Sequence, residues 1–109
     1  QINLRIAKEL ALTGDFISSQ RAFDIGLINR VVEAGSALEE AKKLAQSIAA
    51  NGPLAVARSK QVIDNASDWT TENMFANQAE IVQDVFTSED AIEGATAFAE
   101  KRAPNWKGK

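Results

Sequence analysis

Glycine, asparagine and proline cut this chain of 109 residues into short lengths, and within almost every length the apolar residues return every three or four positions. That period marks amphipathic helices, so the chain reads as a succession of short helices. Leu4, Ala7, Leu10 and Ala11 share one face of a helix near residues 3–12, closed by Thr13-Gly14-Asp15. Gly14 suits the left-handed backbone of a helix stop. Ser18 is placed to cap a helix of about 19–25, with Ala22 and Ile25 inward and Gly26 as its end. One stretch departs from the helical period. Leu27-Ile28-Asn29-Arg30-Val31-Val32 is short and rich in β-branched residues, and it reads as a strand.

Ser36 and Glu39 form an S-x-x-E capping box, after which Leu38, Ala41, Ala45 and Ile48 repeat at helical spacing to about residue 50. Asn51-Gly52-Pro53 breaks the chain, and Pro53 fits the first turn of the next helix. That helix carries Val56, Ser59, Ile63 and Ala66 on one side, with Trp69 in the loop after it. Thr71 is the expected cap of the following helix, whose apolar stripe is Phe75, Ala79, Val82 and Phe86. Thr87 and Asp90 resemble a second capping pair, with Ser88 competing for the cap. The last helix then runs to about Lys101. Phe75, Phe86 and Phe98 read as core. Trp106 follows Pro104 outside any helix, placed to pin the tail to the body or to dock on a partner chain. Gly94 lies inside the last helix, where glycine costs up to about 1 kcal/mol against alanine, so close approach by another backbone or by a ligand is expected there, structural packing being the preferred cause.

Composition removes several kinds of chemistry. The chain has no cysteine and no histidine, so disulfides, thiol nucleophiles and the commonest general base are excluded. A net charge of -3 argues against whole-domain affinity for nucleic acid or an anionic membrane. No apolar run approaches the roughly 18 residues of a membrane helix. Gln1 begins directly in an amphipathic pattern, without a signal sequence, and the expected location is the cytoplasm. The start without methionine raises the expectation of a piece of something longer. Glu89, Asp90 and Glu93 form an acidic cluster, but acids in a first helical turn stabilise the dipole by roughly 0.3–1 kcal/mol each, and this reading is preferred to a metal site. Residues 101–109 hold Lys101, Arg102, Lys107 and Lys109 and no acid. They are either cations matched to a helix C-terminus or an anion site in which Lys101 reaches a phosphate.

Several phrases together resemble one family. Ala7 through Asp15, AKELALTGD, is similar to the A-x-E-L-x-L-T-G-x stretch of the crotonase superfamily, the enoyl-CoA hydratases and isomerases. The likeness continues through Ile17-Ser18, Ala22 and the run Gly26 to Val32, with Ser19 where alanine is usual. Leu38, Ala41 and Leu44-Ala45 follow, then Pro53 to Lys60 in the pattern P-x-A-x-x-x-x-K. Ser88-Glu89-Asp90, Glu93-Gly94, Ala97-Phe98 and Glu100-Lys101-Arg102-Ala103-Pro104 resemble the family's S-x-D-x-x-E-G-x-x-A-F-x-E-K-R-x-P ending.

The resemblance implies a mainly α chain with one short strand, the C-terminal helical segment of a crotonase-like (ClpP/crotonase) α/β fold. Residues 1–35 would end the core, and 36–109 would form the trimerisation and CoA-cleft region. The N-terminal spiral, with its oxyanion-binding N–H groups and acid/base glutamates, would lie outside this chain. No catalytic residue is then expected here, nor activity from the chain alone, since removing one oxyanion donor costs about 2.7–4 kcal/mol. The implied activity of the intact protein is hydration of 2-enoyl-CoA thioesters in fatty-acid β-oxidation, with isomerisation or another crotonase reaction as the alternative. Coenzyme A enters as part of the substrate; no prosthetic group, metal, nucleic acid or membrane is implied, and the assembly is a homotrimer or hexamer. Lys101 carries over as a contact to the CoA phosphates, often on a neighbouring subunit. Val82 departs from the pattern: it stands four residues before Phe86, where some hydratases carry a phenylalanine beside the adenine. Lys60 matches a family lysine and reads as solvated. A helical self-association module without catalysis is the reading of another class. A helix-turn-helix DNA reader is disfavoured by the pI of about 4.9 and by the lack of a basic helix face.

Overall fold

The computed structural model describes residues 2–109. Its elements are α1 (Leu4–Thr13), α2 (Ser19–Asp24), α3 (Ala37–Ala49), α4 (Pro53–Asn65), a short 3₁₀ turn (Ala66–Asp68), α5 (Met74–Phe86) and α6 (Glu89–Glu100). The chain divides into two compact units, Gln1–Ala41 and Lys42–Lys109, with α3 beginning in the first and ending in the second.

In the first unit the punctuation works as its residue types dictate. The Asn3 side chain accepts from the Arg5 N–H at 2.9 Å to start α1, and Gly14 ends it at φ 68°. Ser18 Oγ accepts from the Arg21 N–H at 3.0 Å to start α2, and Ala22 is buried. The expected strand at 27–32 is not there, and no strand occurs among the described residues. The Leu27 and Ile28 N–H groups instead fold back on the Ala22 carbonyl, at 2.8 and 3.3 Å. A strand exists only through a ladder with a neighbour, and β-branched composition does not supply that neighbour.

In the second unit α4 packs along α5, and α5 meets α6. Pro53 occupies the first turn of α4, as its missing N–H allows. Arg58 on α4 ties the two helices by reaching Asp84 on α5 through Nε at 3.0 and 3.1 Å. Helix α5 starts at Met74 and not just after Thr71, because 70–73 close a turn first. The Asn73 side chain accepts from the Thr70 N–H at 2.9 Å, and the Met74 N–H donates to the Thr70 carbonyl at 3.0 Å.

Phe75, Phe86 and Phe98 are not core in this chain: they are 72%, 76% and 88% exposed. The half-buried residues of α5 are Asn77, Ile81, Val82, Asp84 and Val85, which leaves Phe75, Ala79 and Phe86 on the open side. Helical spacing shows which residues share a face. It carries no information about what covers that face.

Candidate functional site

The acidic start and basic end of α6 are joined by the tail, which folds back along the helix. Ser88 caps α6: its Oγ accepts from the Ala91 N–H at 3.0 Å and donates to the Val85 carbonyl at 2.7 Å. Asp90 in the first turn is 5% exposed and serves the tail directly. One carboxylate oxygen accepts from the Lys107 N–H at 2.7 Å, the other from the Gly108 N–H at 2.8 Å. The Asp90 N–H in turn donates to the Lys109 carbonyl at 3.1 Å. Glu89 lies near the ammonium groups of Lys107 and Lys109, at 3.2 and 3.6 Å, and these cations hold its pKa below the usual carboxylate range.

Trp106 anchors the middle of the tail. Its Nε1–H donates to the Ala50 carbonyl at 2.8 Å, beyond the end of α3. The ring lies against Gly94, where an added Cβ would meet Cη2 at 3.1 Å and Cζ3 at 3.3 Å, and against Gly52 at 3.6 Å. Gly94 is packed closely, by the indole side chain and not by another backbone, and Trp106 pins the tail to its own chain.

Between the helix end and Trp106 sits a charged clasp. Arg102 grips Glu93 with both ends of its fork, at 2.6 and 3.0 Å, while its Nε donates to Glu100 at 2.6 Å. Glu93 also accepts from the Asn105 N–H at 2.7 Å. The paired guanidinium and this N–H hold the Glu93 carboxyl at a pKa of about 2, far below its ordinary 4.5. Glu89, Asp90 and Glu93 are thus all engaged with the tail, a role for these acids that their count in the sequence does not reveal.

Lys101 lies at the turn of this clasp. It caps α6 in the left-handed region, φ 54° and ψ 39°, and is the one non-glycine residue with positive φ among the described residues. That conformation costs a non-glycine residue about 1–2 kcal/mol. Its N–H donates to the Phe98 carbonyl at 3.2 Å, and the Arg102 N–H to the Ala97 carbonyl at 3.0 Å, which closes the helix end. Of the tail's cations, Arg102, Lys107 and Lys109 face acids, whereas Lys101 has no acid partner among the described residues and is exposed. Elsewhere, Lys60 pairs with Asp64 one turn away on α4. Arg58, which lines a groove of about 500 Å³ with Glu80 and Gln83, is fully engaged by Asp84 and Gln61.

The profile of the family described as enoyl-CoA hydratase/isomerase matches residues 1–109. The chain belongs to the enoyl-CoA hydratase/isomerase family. It is 43% identical over its full length to an enoyl-CoA hydratase of Mycobacterium tuberculosis, of which it covers 41%. It is 40% identical over 108 residues to a carnitinyl-CoA dehydratase of Proteus mirabilis, covering 95% of this chain and 41% of that one. Among solved structures, an enoyl-CoA hydratase from Mycobacterium marinum superposes on all of this chain with a TM-score of 0.95 at 50% identity, over 43% of its own length. The chain thus spans well under half the length of these relatives. For this member of the hydratase/isomerase family, the helical architecture agrees with the crotonase fold over the part it spans.

Proposed function

We propose that the intact protein is an enoyl-CoA hydratase, adding water across the 2,3 double bond of a 2-enoyl-CoA thioester. This chain would supply part of the CoA cleft and contacts within a homotrimer or hexamer. The Lys101 ammonium, without an acid partner among the described residues and set at the turn of a clasped tail, carries the cleft assignment. An exposed ammonium on a backbone held in one turn is a suitable contact for a CoA phosphate. The exposed phenylalanines of α5 and α6 support the assembly role, because faces of this kind are usually covered in the working protein. The reading places the enzyme in fatty-acid β-oxidation in the cytoplasm, acting on dissolved CoA thioesters with no prosthetic group. No helix among the described residues is long and apolar enough to cross a membrane.

The test is hydration of crotonyl-CoA by the intact protein. Lys101→Ala should raise KM by about ten- to hundredfold, the worth of one charge-assisted contact, with a smaller loss in kcat. An intact protein without turnover overturns the activity. A KM that does not move removes Lys101 from the site. The chain alone is expected to be inactive, and clear turnover by it on crotonyl-CoA refutes that. Sedimentation of the intact protein as a monomer refutes the assembly.

One observation favours a second reading. Carnitinyl-CoA dehydratases of several bacteria match at 36–40% identity, and elimination of water from a 3-hydroxyacyl thioester is the same chemistry run backwards. Turnover of carnitinyl-CoA exceeding that of crotonyl-CoA would select this reading. Double-bond migration in a 3-enoyl-CoA without water addition would select an isomerase.

A further inference from the structure

Lys101 occupies a backbone conformation that a lysine adopts only when its surroundings enforce it. Those surroundings are specific. On either side of it, Glu100 and Arg102 pair with each other, and Arg102 reaches over one further partner, Glu93, two turns back on α6. The same Glu93 carboxylate takes the Asn105 N–H, so one side chain fixes the chain on both sides of Pro104. Trp106 is then seated on Gly94, the residue next to Glu93, and held at Ala50. The clasp also does electrostatic work. Glu93 and Glu100 both engage the Arg102 guanidinium, so the cation at this corner without an acid partner among the described residues is Lys101.

We propose that Glu93 and Arg102 are positioning residues for acyl-CoA binding: their fork closes the turn that aims the Lys101 ammonium at a phosphate of the CoA nucleotide. This rests on the reading of Lys101 as a phosphate contact. The clasp itself touches no substrate. It acts by keeping the αL turn closed before the thioester arrives, so that the lysine loses less freedom on binding. Arginine suits this task better than lysine, because the planar fork meets a carboxylate through two bonds in one orientation.

The test compares two thioesters of the same acyl group in the full-length enzyme, one on coenzyme A and one on N-acetylcysteamine, which lacks the nucleotide phosphates. The readout is the ratio of their KM values, which a loss of fold or of catalytic geometry moves little because it affects both substrates. Glu93→Gln, which keeps the shape but not the charge, should raise KM for the CoA thioester relative to the short one by about three- to tenfold. Lys101→Ala should shift the ratio at least as much, and the double variant Glu93→Gln/Lys101→Ala no further than Lys101→Ala alone. Arg102→Lys should shift it part of the way. If Lys101→Ala shifts the ratio and Glu93→Gln does not, the clasp is structural only and the inference is wrong, while the phosphate contact stands. If Lys101→Ala leaves the ratio unchanged, both readings fall together. Should Glu93→Gln unfold the protein, Arg102→Lys decides alone by the same ratio.

Discussion

The Trp106 indole lies so close to Gly94 that a methyl group there would meet Cη2 at 3.1 Å and Cζ3 at 3.3 Å. Two effects then oppose each other in Gly94→Ala. The helix gains up to about 1 kcal/mol from alanine, and the ring must yield by a few tenths of an ångström while keeping its bond to Ala50. The expected outcome is a change in unfolding free energy within about 1 kcal/mol of zero. Gly94→Leu keeps a good helix former but has no room, and should unseat the indole at a cost of about 1–3 kcal/mol. Thermal unfolding of the two variants, with amide exchange over residues 101–109, separates these outcomes.

Trp106 contributes to the tail both as apolar surface and through its Nε1–H bond to the Ala50 carbonyl at 2.8 Å. Trp106→Phe should retain much of the surface and lose the bond, costing about 0.5–1.5 kcal/mol plus the smaller ring. Trp106→Ala should cost roughly 2–4 kcal/mol, below the full range for a buried tryptophan because this ring is only partly covered. Equilibrium denaturation of both variants tests the ordering. Equal losses would show that the hydrogen bond and ring edge dominate.

Much of the helical punctuation was legible in the sequence. Gly14, Ser18, Gly26 and Pro53 act as their chemistry predicts, because capping is a local matter of one side chain and one or two backbone groups. Two helix starts were misplaced locally: α5 opens after Asn73 and not Thr71, and α6 is capped by Ser88 and not by a Thr87/Asp90 pair. The other misreadings concern neighbours. The 27–32 stretch has strand composition, but the Ala22 carbonyl takes its first N–H groups. Phe75, Phe86 and Phe98 lie on apolar stripes whose covering surface is not among the described residues. For the site, Lys101 was reached by resemblance and Gly94 by its cost in a helix. Glu93 and Asp90 were read as dipole partners, because their tail contacts lie 9 to 18 residues away in sequence. An excess of acids at one end of a segment and bases at the other was the visible signal. Which acid meets which base follows from how the tail folds back, at the Lys101 turn, the Trp106 seat and the Asp90 bonds to 107 and 108.

Acid should loosen the tail through Glu93. Its folded pKa of about 2 lies below its ordinary 4.5, so its pairing with Arg102 and the Asn105 N–H stabilises the clasp fully above 4.5. That contribution fades as pH falls from 4.5 toward 2 and the carboxylate takes up a proton. Glu93→Gln never had the charge and cannot lose it. The difference in amide exchange of the tail between native protein and Glu93→Gln should therefore be largest near neutral pH and shrink through this window. Comparison of the two proteins at each pH cancels the intrinsic pH dependence of exchange. A difference that stays constant down to pH 2 would assign the clasp to shape rather than charge.

Lys101→Gly should make the protein more stable and a poorer binder of its substrate. Glycine adopts φ 54° without the Cβ penalty, so the end of α6 relaxes. The gain is partly offset by the greater freedom of glycine in the unfolded chain, which leaves a net stabilisation of up to about 1 kcal/mol. The same change removes the ammonium that faces no acid among the described residues, so KM for the CoA thioester should rise as it does for Lys101→Ala. Lys101→Ala shares the loss of charge but keeps the strained Cβ, so it should show the KM effect without the stabilisation. The pair of variants therefore separates backbone strain from ligand contact in two measurements, a melting curve and a KM. Stabilisation by glycine with an unchanged KM would mean that the strained lysine serves no ligand.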